Sequence, residues 1–158
     1  IGPLIDSNAA EEVKSLIEDA KIKGAKVELG GNICDLGDNF INPTILSNIN
    51  TSMRVFNEEI FGPVAPIIKF ETENEAIELA NQTDFGLAAY FYSRDVGRVY
   101  RVSEKLEFGI IGVNEGIISN EMAPFGGIKE SGNGREGSKY GLDDYLEIKY
   151  VCVGGINE

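Results

Sequence analysis

The side chains with the greatest nucleophilic potential are the two cysteines, Cys34 and Cys152, and the chain contains no histidine to activate them. The Asp35 carboxylate beside Cys34 disfavours the thiolate that would attack a substrate, and Cys152 lies in a strand-like segment. The absence of histidine also removes Ser-His-Asp catalysis, Cys-His catalysis and most catalytic zinc sites. We therefore expect neither cysteine to act as a nucleophile, and we predict no metal site and no disulfide framework.

A glycine-rich segment, Gly132-Asn-Gly134-Arg-Glu-Gly137, matches the pattern G-x-G-x-x-G of dinucleotide-binding loops. That pattern binds phosphate only between a strand and a helix, with an acidic residue at the end of the next strand. Here a loop precedes the match, and the chain ends too soon for the rest of the unit. We predict that these glycines shape a turn.

The segment Glu58-Glu59-Ile60-Phe61-Gly62-Pro63 places two carboxylates, an aromatic ring and a turn immediately before an apolar strand. From the residue types alone, a polar loop in which Phe61 anchors the chain to the core is the simpler reading. The alternative is a binding turn in which the carboxylates and the ring face a ligand. The segment by itself leaves both readings open.

The order of several motifs favours the binding turn, because the segment at 58–63 resembles the E-E-x-F-G-P motif of the aldehyde dehydrogenase superfamily. The other motifs in that family's order and approximate spacing are Ile1-Gly-Pro3, Phe85-Gly-Leu-Ala88, Gly112-Val-Asn114, Pro124-Phe-Gly-Gly-Ile-Lys129, Ser131-Gly132 and Gly134-Arg-Glu136. The resemblance covers essentially the whole chain. The stretches at 112–119 and 134–150 are most similar to the succinate-semialdehyde branch. Relatives that act on other semialdehydes share much of the sequence of these two stretches.

The resemblance implies oxidation of an aldehyde to its acid by a cysteine thiolate, with hydride transfer to NAD or NADP and hydrolysis of the thioester by a glutamate-activated water. In that family the nucleophile lies in a G-Q-x-C segment upstream of the G-P segment, and no such segment occurs here. The general base, the oxyanion asparagine and the dinucleotide fold also lie upstream. The resemblance therefore implies that this chain alone is inactive and that it belongs to a longer enzyme.

The resemblance also assigns roles to five residues of this chain. Glu59 would accept hydrogen bonds from the nicotinamide ribose hydroxyls, and Phe61 would pack beside the nicotinamide ring. Phe125 would form a wall of the aldehyde tunnel, and Ser119 would hydrogen-bond the far carboxylate of a semialdehyde. Glu136 would relay a proton towards the catalytic base. The simpler alternatives are a capped turn for Ser119, core packing for Phe125 and a surface charge for Glu136.

The spacing of apolar residues and capping residues predicts an α/β fold. The predicted helices are one from a Ser7 cap to about Lys23 with Gly24 as its stop, one from Thr72 to about Gln82, and one opened by Asp95. The predicted strands are at 26–29, 43–46, 67–70 (with 63–66 leading into it), 87–92 and 109–113. Alternating helices and strands favour parallel strands covered by helices, and the strand at 87–92 reads as buried on both faces. A long loop at 114–141 precedes a last strand at 145–153.

Together with the resemblance, this order predicts three parts: a catalytic-domain segment at 1–129 with a mostly parallel sheet and flanking helices, a crossing segment at 130–145, and an oligomerisation strand and tail at 146–158. A strand beyond the core could pair with another subunit, which predicts a homo-oligomer. By resemblance, Arg135 and Glu147 lie near the subunit interface.

The composition excludes several kinds of partner. With 26 acidic and 14 basic residues, the chain carries a formal net charge of −12, which would repel nucleic acid and anionic membranes. The chain has neither an apolar run of membrane-spanning length nor a signal-peptide pattern, so we expect a cytoplasmic location. The alternatives to succinate semialdehyde oxidation are a dehydrogenase for another aldehyde and a non-catalytic structural or binding protein of the same fold.

Overall fold

The computed structural model describes residues 1–32 and 35–156. The chain divides into two units, Ile1–Glu71 and Thr72–Glu158, and each has its own arrangement of helices and strands. Cys34 and the last two residues of the predicted tail lie outside the described residues.

Helix α1 of the first unit spans Ser7–Ile22 and buries one apolar face. The buried residues are Ala10, Val13, Leu16, Ile17 and Ala20. The predicted cap at Ser7 is wrong by one residue, because Asp6 has an extended backbone and its side chain accepts a 2.8 Å hydrogen bond from the Ala9 amide. Gly24, with a φ of +99°, ends the helix as predicted, since glycine tolerates this left-handed conformation.

The strands of the first unit are β1 (Lys26–Leu29), β2 (Thr44–Ser47) and β3 (Val64–Pro66), and the short helix α2 (Arg54–Asn57) lies between β2 and β3. They form one sheet in the order β1-β2-β3, with β1 antiparallel to β2 and β2 parallel to β3. The buried face of α1 shares one apolar core with Leu46, Met53 and Val55. This core supports the segment that follows α2.

The strand predicted at 67–70 lies earlier in the structure, within the segment at 63–66 that was expected to lead into it. β3 ends at Pro66, and the Ile67 amide makes a last 2.8 Å hydrogen bond to the Leu46 carbonyl. Of the apolar residues beyond Pro66, Ile68 still packs against the core of this unit, whereas Phe70 is 57% exposed. Their β-prone composition alone does not supply a hydrogen-bonded neighbour.

The second unit contains α3 (Glu73–Asn81), β4 (Phe85–Gly86), β5 (Ala88–Phe91), α4 (Val96–Lys105), β6 (Ile110–Val113) and β7 (Ile128–Lys129). Both predicted helix caps are confirmed. The Thr72 side chain accepts a hydrogen bond from the Glu75 amide, and the Asp95 side chain accepts one from the Arg98 amide. These caps satisfy amide groups that a helix N-terminus otherwise leaves unpaired.

The described strands do not form the single, mostly parallel sheet that we predicted. In the second unit β5 pairs with β6 in parallel, whereas β4 pairs with β7 antiparallel, in two separate two-stranded sheets. Parallel neighbours need a crossover, which α2 provides between β2 and β3 and α4 between β5 and β6, whereas the connection from β1 to β2 contains no helix in its described part and joins antiparallel strands. The strand predicted as buried on both faces is also corrected, because Tyr90 in β5 is 50% exposed.

The predicted terminal strand is not formed either. Residues 146–156 follow a 3₁₀ turn at Asp143–Tyr145 and contain no strand in the described structure, and Ile148 is fully exposed. A strand requires a neighbour for its backbone amides and carbonyls, and no described segment of this chain pairs with residues 146–156. Within the described ranges, none of the helices has both the length and the apolar character needed to cross a membrane.

Candidate functional site

The two adjacent carboxylates of the segment at 58–63 have different surroundings. Glu58 ends α2 and receives two hydrogen bonds from Arg54, with Nε to Oε1 at 2.7 Å and Nη2 to Oε2 at 2.8 Å. The guanidinium lowers the pKa of the Glu58 carboxyl below its ordinary value. Among the described residues, nothing hydrogen-bonds or ion-pairs with the Glu59 carboxylate, which is exposed. Glu58 therefore has a structural partner, whereas Glu59 is available to a ligand.

Phe61 does not anchor this segment to the core, which contradicts the simpler reading of the sequence. Its side chain is 75% exposed. Ile60, between Glu59 and Phe61, is partly buried and packs against the core of the first unit. The apolar anchor is thus Ile60, and an exposed carboxylate and an exposed aromatic ring flank it.

The turn at 58–62 is also held against α1 and β2. A methyl group added at Gly62 would lie 2.6 Å from Val13 Cγ2, so only glycine lets the backbone approach α1 this closely. The next residue, Pro63, accepts a 2.8 Å hydrogen bond from the Thr44 amide through its carbonyl oxygen. The backbone that carries Glu59 and Phe61 is therefore held at both ends: after α2 by the Arg54–Glu58 contact, and before β3 by Gly62 and Pro63.

The second unit brings together the other three predicted site residues, Ser119, Phe125 and Glu136. They line one open groove of about 360 Å³. Phe125 and Glu136 form an antiparallel bridge in which each amide donates to the other's carbonyl, at 2.9 and 2.7 Å. Phe125 is partly buried, and Glu136 is exposed with no ion pair or side-chain hydrogen bond among the described residues.

The turn beside Ser119 is capped by its neighbour. Asn120 Oδ1 accepts a 2.8 Å hydrogen bond from the Met122 amide, and the Asn120 carbonyl accepts one from the Ala123 amide at 3.1 Å. Within the described part of the chain, the exposed Ser119 hydroxyl has no hydrogen-bond partner. The sequence reading missed Asn120, although its side chain and position two residues before Met122 are typical of such turns. The capping alternative for Ser119 is therefore wrong, and its hydroxyl is free for a ligand.

A tightly packed loop supports this groove. Gly126 lies against the Gly134 carbonyl oxygen, which leaves no room for a side chain at position 126. The Arg135 guanidinium donates through Nη1 to the carbonyl oxygens of Gly127, Asn133 and Gly134 at 2.7 to 3.0 Å. Arg135, expected near a subunit interface by resemblance, thus binds backbone groups of its own chain, whereas Glu147 is exposed.

The glycine-rich segment at 132–137 forms turns, as predicted. Gly132 and Gly137 have φ values of +83° and +62°, which L side chains rarely adopt. The Gly132 amide closes a turn with the Lys129 carbonyl at 3.1 Å, and no helix begins at this segment. Cys152 is exposed in the segment at 146–156.

Comparison with known proteins agrees with the motifs. The family model described as the aldehyde dehydrogenase family matches residues 1–151. Over 98% of its length the chain is 59% identical to the NADP(+)-dependent succinate-semialdehyde dehydrogenase GabD of Escherichia coli K12, and over 99% it is 58% identical to the 3-sulfolactaldehyde dehydrogenase of Pseudomonas putida. A solved structure of an NADP-dependent enzyme of E. coli superposes with a TM-score of 0.93 at 59% identity, over 98% of this chain. The chain spans 32% of each of these three proteins.

Proposed function

The chain belongs to the aldehyde dehydrogenase family, and we propose that it is part of a longer NAD(P)⁺-dependent enzyme that oxidises succinate semialdehyde to succinate. The observation that carries this proposal is the groove that brings the free Ser119 hydroxyl together with Phe125 and Glu136. A short aldehyde with an acidic far end needs an apolar wall and a hydrogen-bond donor, and this groove provides both.

Glu59 and Phe61 would hold part of the cofactor in the complete enzyme. A carboxylate with both oxygens free can accept from the two hydroxyls of a ribose, and an exposed aromatic ring can pack beside a flat heterocycle. The residues that the turn presents therefore fit a nicotinamide nucleoside. The cofactor, when bound, accepts the hydride that leaves the substrate. The contribution of Glu59 and Phe61 is to fix the orientation in which that transfer occurs.

Ser119 and Phe125 would bind the substrate and determine which aldehydes are accepted. The Ser119 hydroxyl can donate to the far carboxylate of the semialdehyde, and a donor to a charged acceptor makes one of the stronger hydrogen bonds available to an enzyme. Phe125 would keep the carbon chain in contact with an apolar surface. Glu136, on the same groove and with a free carboxylate, would relay a proton towards the catalytic base.

The nucleophile and the general base would come from the part of the enzyme that this chain does not cover. Neither cysteine lies in the G-Q-x-C segment that the family uses. We therefore expect the 158-residue chain alone to be inactive. A G-Q-x-C segment in the coding sequence shortly upstream of Ile1 would support the enzyme, and its absence would favour a non-catalytic structural or binding protein of the same fold.

The chain would divide into a part of the catalytic domain and two segments that contact a neighbouring subunit. Residues 1–129 would belong to the catalytic domain, 130–145 would cross to a neighbouring subunit, and 146–158 would add a strand to that subunit's sheet. The exposure of apolar Ile148, Tyr150 and Val151 supports this assignment, because a second subunit would cover them. A cytoplasmic homo-oligomer is thus the proposed form of the enzyme.

A second substrate is favoured by one specific relative, the 3-sulfolactaldehyde dehydrogenase of P. putida, at 58% identity. Its substrate also carries an acidic group distant from the aldehyde, so a hydroxyl donor such as Ser119 suits both. The test compares kcat/KM of the complete enzyme for succinate semialdehyde, 3-sulfolactaldehyde and butanal. The highest value for succinate semialdehyde would support the proposal, and the highest value for butanal would refute an acid-bearing substrate.

A further inference from the structure

The Arg54 side chain, in α2, hydrogen-bonds residues on both sides of the turn at 58–62: Glu58 at the end of α2, and two residues of helix α1. Besides both oxygens of Glu58, its guanidinium binds the Glu12 carboxylate and the Ser15 hydroxyl, the latter at 2.6 Å. Its own amide donates to Asp19 Oδ2 at 2.9 Å. Arg54 therefore joins the turn at 58–62 to helix α1.

The three partners on α1 lie on one side of that helix. Glu12, Ser15 and Asp19 are three and four residues apart, which places them along one stripe of the helix surface. The neighbouring stripe of α1 is buried in the core of the first unit. Because the apolar face packs α1 firmly on the core, a side chain that binds the polar stripe of α1 is held in one position.

The position of Glu59 depends on how the backbone at 58–62 is attached to α1. Glu58 leaves α2 with an extended backbone, and Glu59 is the next residue. On the other side, Gly62 packs against Val13 of the same helix. The turn is thus attached to α1 at both ends, through Arg54 at Glu58 and by a close backbone approach at Gly62, with Ile60 packed on the core between them.

We propose that Arg54 is a positioning residue for the cofactor: by holding Glu58 against α1, it fixes where the Glu59 carboxylate meets the nicotinamide ribose. This inference rests on the proposed function, because it presupposes that Glu59 binds the cofactor. In this role Arg54 would act through Glu58 and the turn, without a contact of its own to cofactor or substrate. Its planar guanidinium is suited to the task, since it can bind a carboxylate with two parallel bonds while still reaching other acceptors.

The test uses the complete enzyme and compares Arg54→Gln, Arg54→Lys, Glu58→Gln and the Arg54→Gln/Glu58→Gln double variant. The matched control is Arg101→Gln, which removes an exposed arginine that holds Glu73 in the second unit. For each variant, melting temperature, KM for the cofactor, KM for the aldehyde and the single-turnover rate of hydride transfer are measured. Glu59→Gln is measured alongside.

We expect Arg54→Gln to slow hydride transfer by about tenfold or more and to raise KM for the cofactor while leaving KM for the aldehyde near the wild-type value, because small displacements of a positioning group have large effects on rate. Glu58→Gln should show the same split more weakly. The double variant should be no worse than Arg54→Gln, since both changes break one connection. Arg54→Lys should restore part of the rate, and Arg101→Gln should leave every kinetic value unchanged.

Three outcomes would overturn the inference, and they are distinguishable. A wild-type result for Glu59→Gln would refute the proposed cofactor contact and the role of Arg54 with it. A deficit in Glu59→Gln with wild-type kinetics in Arg54→Gln and Glu58→Gln would refute only the positioning role. Equal rises in both KM values, without rescue by lysine, would show that Arg54 merely stabilises the fold. If Arg54→Gln fails to fold, the split in Glu58→Gln decides between these readings.

Discussion

Phe125 and Glu136 exchange both of their backbone hydrogen bonds, at 2.9 and 2.7 Å, although a glycine-rich loop separates them in the sequence. In such a reciprocally bonded antiparallel pair, both side chains lie on the same face of the ladder. The aromatic ring and the carboxylate therefore line the same groove as Ser119. The groove depends on the loop that returns the chain from Phe125 to Glu136.

Gly126→Ala should disrupt that loop. An added methyl group would overlap the Gly134 carbonyl oxygen and crowd the Arg135 side chain, and forced packing of this kind costs about 1 to 3 kcal/mol. We expect a lower melting temperature and a lower kcat/KM for the aldehyde in the complete enzyme. Gly116→Ala is the matched control, because it meets nothing within 4 Å and should keep wild-type values. Equal behaviour of the two variants would mean that the loop adjusts without cost.

The local features of the fold could be predicted from the sequence because they depend on neighbouring residues. The caps at Thr72 and Asp95 and the end of α1 at Gly24 involve residues within about one helical turn. The sheet partners could not be predicted, because hydrogen-bonded neighbours are distant in the chain. The unpaired segment at 146–156 is the clearest example: its alternating pattern predicts a strand, but it has no described neighbour to pair with.

The candidate site shows the same limit. The motifs indicated Glu59, Phe61, Ser119, Phe125 and Glu136, and the structure places the last three on one groove. The resemblance pointed to Glu59, but the residue types alone could not show that Glu58 is paired and Glu59, among the described residues, is not, because that difference depends on Arg54, whose other partners lie on α1 more than thirty positions earlier. They also could not show that Ile60, rather than Phe61, packs against the core.

Glu59→Gln should weaken cofactor binding and slow hydride transfer more than it weakens aldehyde binding. Glutamine keeps one acceptor oxygen but loses the charge that strengthens both ribose contacts, which is expected to reduce hydride transfer by about one to two decades. Single-turnover kinetics and cofactor titration of the complete enzyme measure this effect. Lys26 and Ser47 already hold the Glu28 carboxylate, so Glu28→Gln serves as a control for a surface carboxylate in the same unit. Wild-type values for Glu59→Gln would reassign Glu59 as a loop carboxylate.

Acid should weaken the attachment of α3 to α4 through Glu73. Arg101 and then Arg98 hydrogen-bond this carboxylate and lower its pKa from 4.5 to about 2. A carboxyl group with a lowered pKa stabilises the fold fully above its ordinary value, and the contribution is lost as the pH falls from 4.5 towards 2.

The melting temperature of the wild type should therefore exceed that of Glu73→Gln at neutral pH, and the difference should shrink as the pH falls below 4.5. Glu78→Gln, on the same helix and with its side chain exposed, is the control for the loss of a surface carboxylate at neutral pH. A constant difference at every pH would contradict the role of Glu73.

The isolated 158-residue chain should produce no NADH or NADPH from succinate semialdehyde. Its only described cysteine, Cys152, is exposed, and the sequence places an acidic residue, Asp35, next to Cys34, which disfavours a thiolate. Absorbance at the reduced-cofactor band, with the complete enzyme as positive control, measures this directly. Turnover by the pure chain that disappears in Cys152→Ser or Cys34→Ser would identify a nucleophile within these residues and refute the prediction.

Ser119→Ala should discriminate between substrates by their far ends. Succinate semialdehyde carries a carboxylate that needs a donor, whereas butanal has a similar length and no charge. Among the described residues the Ser119 hydroxyl has no partner of its own, and Asn120 caps the neighbouring turn, so removing the hydroxyl should leave the turn intact.

Losing one donor to a charged acceptor costs about 1.5 to 3 kcal/mol, or roughly one to two decades in kcat/KM, for the charged substrate only. The complete enzyme is assayed with both aldehydes, and Asn120→Ala, which removes the cap, is assayed alongside. We expect Ser119→Ala to lower kcat/KM for succinate semialdehyde and leave that for butanal unchanged, whereas Asn120→Ala should lower both. Equal losses on both substrates in Ser119→Ala would mean that the hydroxyl only supports the loop, and the succinate-semialdehyde proposal would then lose its support from the chemistry of this groove.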